Sequence, residues 1–312
     1  MKKTISIVIP CFNEEGNIVP LYSEVKEMFK RDLSSYNYEI LFIDNHSTDS
    51  TRRLLREICT TDKKVKCIFN SRNVGSSSST FYGLCHSSGD CSVLLFADFQ
   101  EPIELIPNFV HEWEKGFKTV IGIKNKSKEN ILMRLLRSIY YSMFKKMSDE
   151  IEQIKNFDGF GLYDKSFIEI LRSTHEPMPY LRNMVAEFAI LRKEIPYNQQ
   201  KRRFGKSHVG WYRLYNDAMI SITSHTKVGL RIATIIGFIF SIVSFIIALV
   251  YFILKFIFWD SFPLGIIPIA IGVFFLGSLQ LFFIGLIGEY VLSINSRVKN
   301  RPLVIEEERI NF

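Results

Sequence analysis

The 312-residue chain is 47% apolar and 23% charged, with a formal net charge of +7. Such a basic balance suits an anionic leaflet, phosphorylated substrates or nucleic acid. The five cysteines (Cys11, Cys59, Cys67, Cys85, Cys91) show no CxxC spacing and no histidine at metal-ligand spacing, which argues against a zinc module and for reduced, mostly buried thiols.

In chain order, residues 4–10 (TISIVIP) form a β-branched run closed by a proline and predict a strand. A polar helix is expected from about Glu15 to Phe29, then a strand over 38–43 and a helix after Ser47. A strand near 65–70, a helix from about Ser77 to Ser87 and a strand over 92–97 complete the series. Nearly all-apolar strands separated by helix-length segments predict an α/β fold with a parallel sheet covered on both faces. Sheets of this kind bind ligands beyond the carboxyl ends of their strands. A polar cluster follows each strand here: CFNEE, DNHSTD, NSRNVG and DFQEP.

Those clusters suggest chemistry. Asp44 ends a buried strand, and a carboxylate or amide there suits ribose hydroxyls or the polar edge of a base. Ser47 and Asp49 suit helix capping equally well, and Asn73-Val-Gly75 also reads as an ordinary turn. Asp98-Phe99-Gln100 places two oxygen-bearing side chains at i and i+2 just past a strand end. One carboxylate and one amide suffice for Mg²⁺ or Mn²⁺ when a diphosphate and water complete the shell, although a solvated turn has the same spacing. The chain has neither a P-loop nor a GxGxxG motif, so ATP hydrolysis and dinucleotide redox chemistry lack their usual signatures.

The last third differs. Residues 232–254 and 261–288 are two uncharged apolar runs, each longer than the roughly 20 residues a helix needs to cross the hydrocarbon core. They predict a membrane hairpin with spans at 231–255 and 262–290, preceded by a globular domain over 1–220 and a juxtamembrane segment over 221–230. Residues 291–312 read as a cytoplasmic tail. Lys227 and Arg231 before the first span, and Arg297, Lys299 and Arg301 after the second, place both ends and the large domain on the cytoplasmic side. The opening MKKTISIVIPCFNEE is too short in its apolar stretch for a signal peptide. The segment 132–147 mixes apolar and basic residues at near-helical spacing and fits either a headgroup-lying helix or a core helix with a solvated basic face. The spans favour membrane and phosphorylated partners over nucleic acid.

These segments together resemble the family 2 glycosyltransferases of GT-A fold. Within that family they resemble the polyprenyl-phosphate type, which includes dolichol-phosphate mannose synthase and the bactoprenol glucosyl transferases. The resemblance covers almost the whole chain. It is carried by IVIPCFNEEGNI (7–18), FIDNHSTDST (42–51), SRNVG (71–75), ADFQEPIELI (97–106), GFGLYDKSF (159–167), RRFGKS (202–207) and GLIGEYVLSINSRVKNRP (285–302). It implies that Pro10, Phe12, Asn13 and Glu14 form the first nucleotide-binding loop and that Asp44 and Asn45 hold base and ribose. It implies Asp98 and Gln100 as metal ligands for Mg²⁺ or Mn²⁺, and Arg202, Lys206 and Ser207 as groups that approach the phosphates. Asn73, in SRNVG, joins the nucleotide-binding set.

The chain departs from the pattern in several places. Phe96 stands at the first aspartate of the DxD motif, Asn45 and His46 replace the second acid and the glycine of DDGS, and His208 replaces the lysine that closes RxxGxSK. After SRNVG the chain reads SSSS, without a cation. The implied reaction is inverting transfer of a hexose, glucose first, from a UDP- or GDP-sugar to polyprenyl phosphate at the cytoplasmic face of the inner membrane. A flippase and a downstream transferase are the implied partners, and self-association into a homo-oligomer is left open. Two alternatives remain: direct transfer to a growing saccharide, and a non-catalytic membrane scaffold with a degenerate metal site.

Overall fold

The computed structural model describes residues 2–125, 154–203 (save 175, 178 and 190), positions 236–240, 242, 243, 246, 250, 253 and 257, and residues 266–298 and 301–312. The amphipathic segment expected at 132–147, the juxtamembrane segment 221–230, most of the span at 231–255, and Lys206 and Ser207 lie outside the described residues. The chain forms two units, one of residues 1–145, 150–208 and 300–312, the other of 146–149 and 209–299.

The first unit is built on an eight-stranded sheet of order β7-β5-β6-β4-β1-β2-β3-β8. Its centre is the series expected from the sequence: β1 (Thr4–Cys11), α1 (Glu15–Asp32), β2 (Asn37–Asp44), α2 (Thr51–Thr61), β3 (Val65–Asn70), α3 (Ser76–His86) and β4 (Cys91–Leu94). β2 and β4 flank β1 in parallel, and β3 continues in parallel beyond β2. The side-chain alternation of a strand explains why these runs are apolar throughout. Ile5, Ile7 and Ile9 pack with Ile18, Leu21 and Val25 of α1 and Leu55 of α2, whereas Val8 packs on the other face with Phe81 and Leu84 of α3. Each of these buried side chains contributes roughly 1.5–3 kcal/mol relative to exposure.

The sheet is mixed where the sequence predicted parallel strands. After β4 the chain runs through α4 (Ile106–Glu114) into β5 (Thr119–Lys124), and β6 (Gly161–Asp164) inserts antiparallel between β5 and β4. α5 (Lys165–Ser173), α6 (Leu181–Phe188) and β7 (Arg192–Tyr197) follow, with β7 parallel to β5. Asp164 caps α5 by accepting from Ser166 N at 3.0 Å, and it also accepts from Trp113 Nε1 at 2.7 Å. The insertion of β6 is tight, because a Cβ on Gly161 would lie 2.6 Å from the Val120 carbonyl oxygen.

In the second unit, α7 (Ile266–Val298) is a single 33-residue helix. Its window Phe275–Leu292 has a mean hydropathy of 1.7, and it is the one helix among the described residues long and apolar enough to cross a membrane. The helix outlasts the apolar run read as a span over 262–290, because the polar stretch after Glu289 remains compatible with helix. Of the first run, residues 236–240 are helical, and the Phe240 ring lies 5.6 Å from that of Phe275.

Residues 291–312, read as a tail, include regular structure among their described positions. Through Val298 they continue α7, and Glu306–Ile310 form β8, an edge strand antiparallel to β3. The charged EEERI sequence hides this strand from hydropathy, yet it suits an edge, where charge discourages further pairing.

Candidate active site

The loops that leave the carboxyl ends of β1, β2, β3 and β4 build one polar surface. The first two are cross-linked. Asn13 has φ 55 and accepts from Thr48 N at 2.8 Å through Oδ1, while its own N–H donates to Ser47 Oγ at 2.9 Å. Glu14 N donates to Thr51 Oγ1 at 2.9 Å, and Ser50 N donates to Glu15 Oε2 at 2.9 Å. Each loop thereby satisfies donors that the start of the other's helix would leave open. Pro10 lies beside Ile43 in the β1–β2 ladder, and Phe12 follows on the same turn, half-buried.

Asp44, the last residue of β2, is fully buried. Its carboxylate accepts from Ser47 N at 3.2 Å and lies 3.2 Å from Arg52 Nε. Burial raises its pKa, and Ser47 and Arg52 offset that only in part. Asn45 is used within the protein. Its Nδ2 donates to Asn73 Oδ1 at 2.9 Å, and its Oδ1 accepts from Val74 N at 2.9 Å and from Asn70 Nδ2 at 3.2 Å. The amide expected to face base and ribose holds the 73–75 loop in place, and Gly75 at φ 86 lets that loop turn into α3. Asn73 itself is exposed.

Beyond β4, Asp98, Phe99 and Gln100 form a turn in which Gln100 N donates to Asp98 Oδ1 at 3.2 Å. Phe99, at φ 60, is buried in a left-handed conformation that is strained for an aromatic residue. The segment after β7 closes on this turn. Gln200 N donates to the Gln100 carbonyl at 2.9 Å, Gln199 Nε2 donates to Gln100 Oε1 at 3.1 Å, and the Arg203 guanidinium covers the Phe99 ring at 4.0 Å.

The centre of the surface is Arg202. Its Nη2 lies 3.2 Å from Glu14 Oε1 and 3.2 Å from Asp98 Oδ2, while its Nε donates to Asp98 Oδ2 at 3.2 Å. Three residues that are distant in sequence, each from a different motif, thus meet in one cluster. Burial raises the Glu14 pKa, the Arg202 charge lowers it in part, and Asp98 adds to the rise.

A second group sits beside the first and escaped the sequence reading. Glu101 is buried, its Oε2 has no hydrogen-bond partner, and burial together with the charges of Asp158 and Asp98 pushes its pKa up to about 9. Lys124 Nζ pairs with Asp158 Oδ2 at 2.5 Å and lies 3.9 Å from Glu101 Oε1. Tyr197 Oη lies 3.5 Å from Asp158 Oδ2, and burial followed by the charge of Asp158 raises the phenol's pKa. Glu101 and Asp158 lie within or just before quoted motif segments, but nothing in the spacing shows that they converge.

The oxygen donors fit a hard divalent cation. Asp98 and Gln100 offer one carboxylate and one amide, Glu14 stands across Arg202, and no group of three His, Cys, Asp or Glu residues able to hold a metal occurs among the described residues. Such a set suits Mg²⁺ or Mn²⁺ only if substrate phosphate and water fill most of the shell.

Residues 6–171 match the family model described as glycosyl transferase family 2. The chain is 30% identical over 303 residues to the SfII prophage-derived bactoprenol glucosyl transferase of Shigella flexneri, covering 96% of each. It is equally similar, at 30% over 303 residues, to the prophage bactoprenol glucosyl transferase homolog of Escherichia coli strain K12, covering 96% of this chain and 97% of that one. Among solved structures, the glucosyl-3-phosphoglycerate synthase of Mycobacterium tuberculosis, in complex with Mn²⁺, UDP and glucosyl-3-phosphoglycerate, has a TM-score of 0.49 at 16% identity, covering 71% of this chain and 78% of that one. The family's GT-A architecture agrees with the mostly parallel mixed sheet and with the polar loops at its carboxyl ends. The chain belongs to glycosyl transferase family 2.

Proposed function

We propose that this chain transfers a hexose, glucose first, from a nucleoside diphosphate sugar to polyprenyl phosphate at the cytoplasmic face of a membrane, with inversion at the anomeric carbon. The observation that carries the reading is the Glu14–Arg202–Asp98 cluster at the strand ends, in a chain similar to a bactoprenol glucosyl transferase over 96% of its length. The apolar helix α7 supports a membrane-bound acceptor. A hairpin of two spans, 231–255 with 262–290, is the arrangement proposed for the anchor.

The acceptor phosphate is already an anion and attacks the anomeric carbon without a strong base. The bond from that carbon to the acceptor oxygen forms as its bond to the donor diphosphate breaks, and the nucleoside diphosphate leaves with the electron pair. Arg202 is placed to meet the charge that develops on the leaving diphosphate, and Lys206 and Ser207 extend the same role. Asp98 and Gln100 are the residues to hold Mg²⁺ or Mn²⁺, which when bound screens the diphosphate charge. Asp44 serves the ribose and base, and Asn45 shapes the loop beside it. A lipid-linked sugar made on this face must be moved across and consumed, so a flippase and a second transferase are the expected partners.

Membranes carrying the protein, polyprenyl phosphate, Mg²⁺ or Mn²⁺ and each radiolabelled nucleotide sugar test the reading. An organic-extractable product is expected, and it should vanish in Asp98→Ala without loss of membrane insertion. Label in a water-soluble saccharide would move the acceptor to a growing glycan, and full activity of Asp98→Ala would overturn the metal assignment.

A further inference from the structure

The donor-site aspartate has a support that comes from the far end of the chain. Arg52, in the first turn of α2, has a side chain only 17% exposed, and its Nε lies 3.2 Å from Asp44 Oδ2. Its Nη2 reaches the other way, donating to Glu307 Oε2 on β8 at 2.8 Å. Its guanidinium sits 5.1 Å from the centre of the Phe69 ring, on the strand that β8 pairs with. One turn further along α2, Arg56 makes the same kind of contacts, to Glu308 at 2.6 Å and over Phe69 at 4.6 Å. Beyond the strand, Asn311 donates to the carbonyls of Cys59 at 2.7 Å and Val65 at 2.8 Å. Across the edge, Tyr82 of α3 donates to Glu306 at 2.9 Å.

Arg56, Asn311 and Tyr82 explain how β8 is held. Arg52 is different, because it is not saturated. Its Nε–H is buried and makes no aligned hydrogen bond, even though the Asp44 oxygen is at ion-pair distance. The neighbouring His46 takes a left-handed backbone at φ 67, and its Nδ1 is likewise buried without a partner. Buried nitrogens are ordinarily satisfied, and each exception calls for an explanation. One of these atoms, Arg52 Nε, lies beside the fully buried Asp44 carboxylate, and His46 follows Asp44 by two residues. A ligand that brings hydroxyl and carbonyl oxygens to this strand end would offer them partners, and the nucleoside half of a sugar nucleotide is such a ligand.

We infer that β8 completes the donor site: Glu307 sets the Arg52 guanidinium, and Arg52 positions the Asp44 carboxylate for the nucleoside of the donor. Arg52 and Glu307 are positioning residues in this arrangement, and the inference rests on the reading of Asp44 as a nucleotide-site residue. The arrangement makes the donor site depend on a strand that follows the apolar helix in sequence.

The test uses the full chain in membranes and measures two quantities, the affinity for UDP and GDP by calorimetry and the steady-state constants for transfer. Arg52→Ala is expected to weaken nucleotide binding and raise the donor KM about 30-fold, at the low end of what losing a buried charge partner produces. The acceptor KM should stay unchanged. Glu307 is 47% exposed, so Glu307→Gln should raise the donor KM only about two- to fivefold. In the Arg52→Ala background Glu307→Gln should add nothing, since the two act through one path. Arg52→Lys should restore part of the affinity. Arg56→Ala is the structural control: it removes the neighbouring contact to Glu308 and lowers the melting temperature, with a smaller effect on the donor KM than Arg52→Ala. Unaltered nucleotide affinity in Arg52→Ala, or an equal donor effect from Arg56→Ala, overturns the inference. A wild-type chain that binds a nucleotide but transfers no sugar refutes the proposed reaction and leaves the inference standing.

Discussion

Replacing Arg202 with alanine separates its two roles. The guanidinium lies 3.2 Å from both Glu14 and Asp98, and the three side chains are 26%, 10% and 13% exposed. At an effective dielectric of about 20, each contact is worth roughly 5 kcal/mol before desolvation. Desolvation and the mutual repulsion of the two acids cut the net to about 2–3 kcal/mol. Without the arginine, two largely buried carboxylates face each other without the counter-ion that now bridges them. A divalent cation no longer has to displace a resident charge, so Mn²⁺ should bind roughly 30- to 100-fold more tightly in the absence of nucleotide, at about 1.4 kcal/mol per factor of ten. Transfer should nevertheless fall about 10²- to 10³-fold, because a donor aimed at developing charge is lost. Arg202→Lys should be intermediate in both, since an ammonium keeps the charge but not the planar fork. Mn²⁺ titration followed by electron paramagnetic resonance, beside radiolabelled transfer, reads both effects. Equal or weaker Mn²⁺ binding by Arg202→Ala would refute the picture of an arginine standing between the two acids.

Three further outcomes are expected. Glu39 is buried and accepts from Lys66, Ser6 and Ser88; although burial raises its pKa, these partners hold it below the usual value. Its stabilisation is therefore complete above the unfolded-state pKa and is lost as pH falls through the lower folded value. Glu39→Gln should cost about 3 kcal/mol at pH 7 and flatten the acid limb of the stability curve below about pH 4.5 in denaturant titrations. Glu101 shifts the other way: with burial pushing it to about 9, wild-type stability declines as pH rises from about 4.5 towards 9. Glu101→Gln should remove that decline, with stability at pH 8 equal to or above wild type in the presence of a chelator; a destabilised variant with the slope retained would contradict it. Gly161→Ala would bring a methyl within 2.6 Å of the Val120 carbonyl oxygen, so a loss of about 2–3 kcal/mol, seen as a lower melting temperature, is expected.

The first half of the sheet was legible because its strands are buried on both faces. Ile5, Ile7, Val8 and Ile9 need apolar neighbours on each side, and that need is written into the residues. β6 and β7 were hidden for different reasons. GLYD is four residues long, too short for any periodicity, and RKEIPY is polar because β7 forms an edge of the sheet. At the site, Glu14, Asp98 and Arg202 stand out through motif resemblance, and the fold brings the three together. Asn45, an amide of a type fit for a ribose, is also engaged by Asn70, Asn73 and Val74, which its residue type does not reveal. Glu101, Asp158, Lys124 and Tyr197 were missed because only the crossing of β5, β6 and β7 brings them together.

The position of β8 also governs how the protein can be made. β3 would be the open edge of the sheet until Glu306–Ile310 arrive, and these are made only after α7. While α7 and the apolar run before it are being synthesised, the nascent catalytic unit must wait with one row of strand hydrogen bonds unmet. Unpaired edges invite association with other chains. Removal of residues 301–312 therefore takes a closing seal from the sheet.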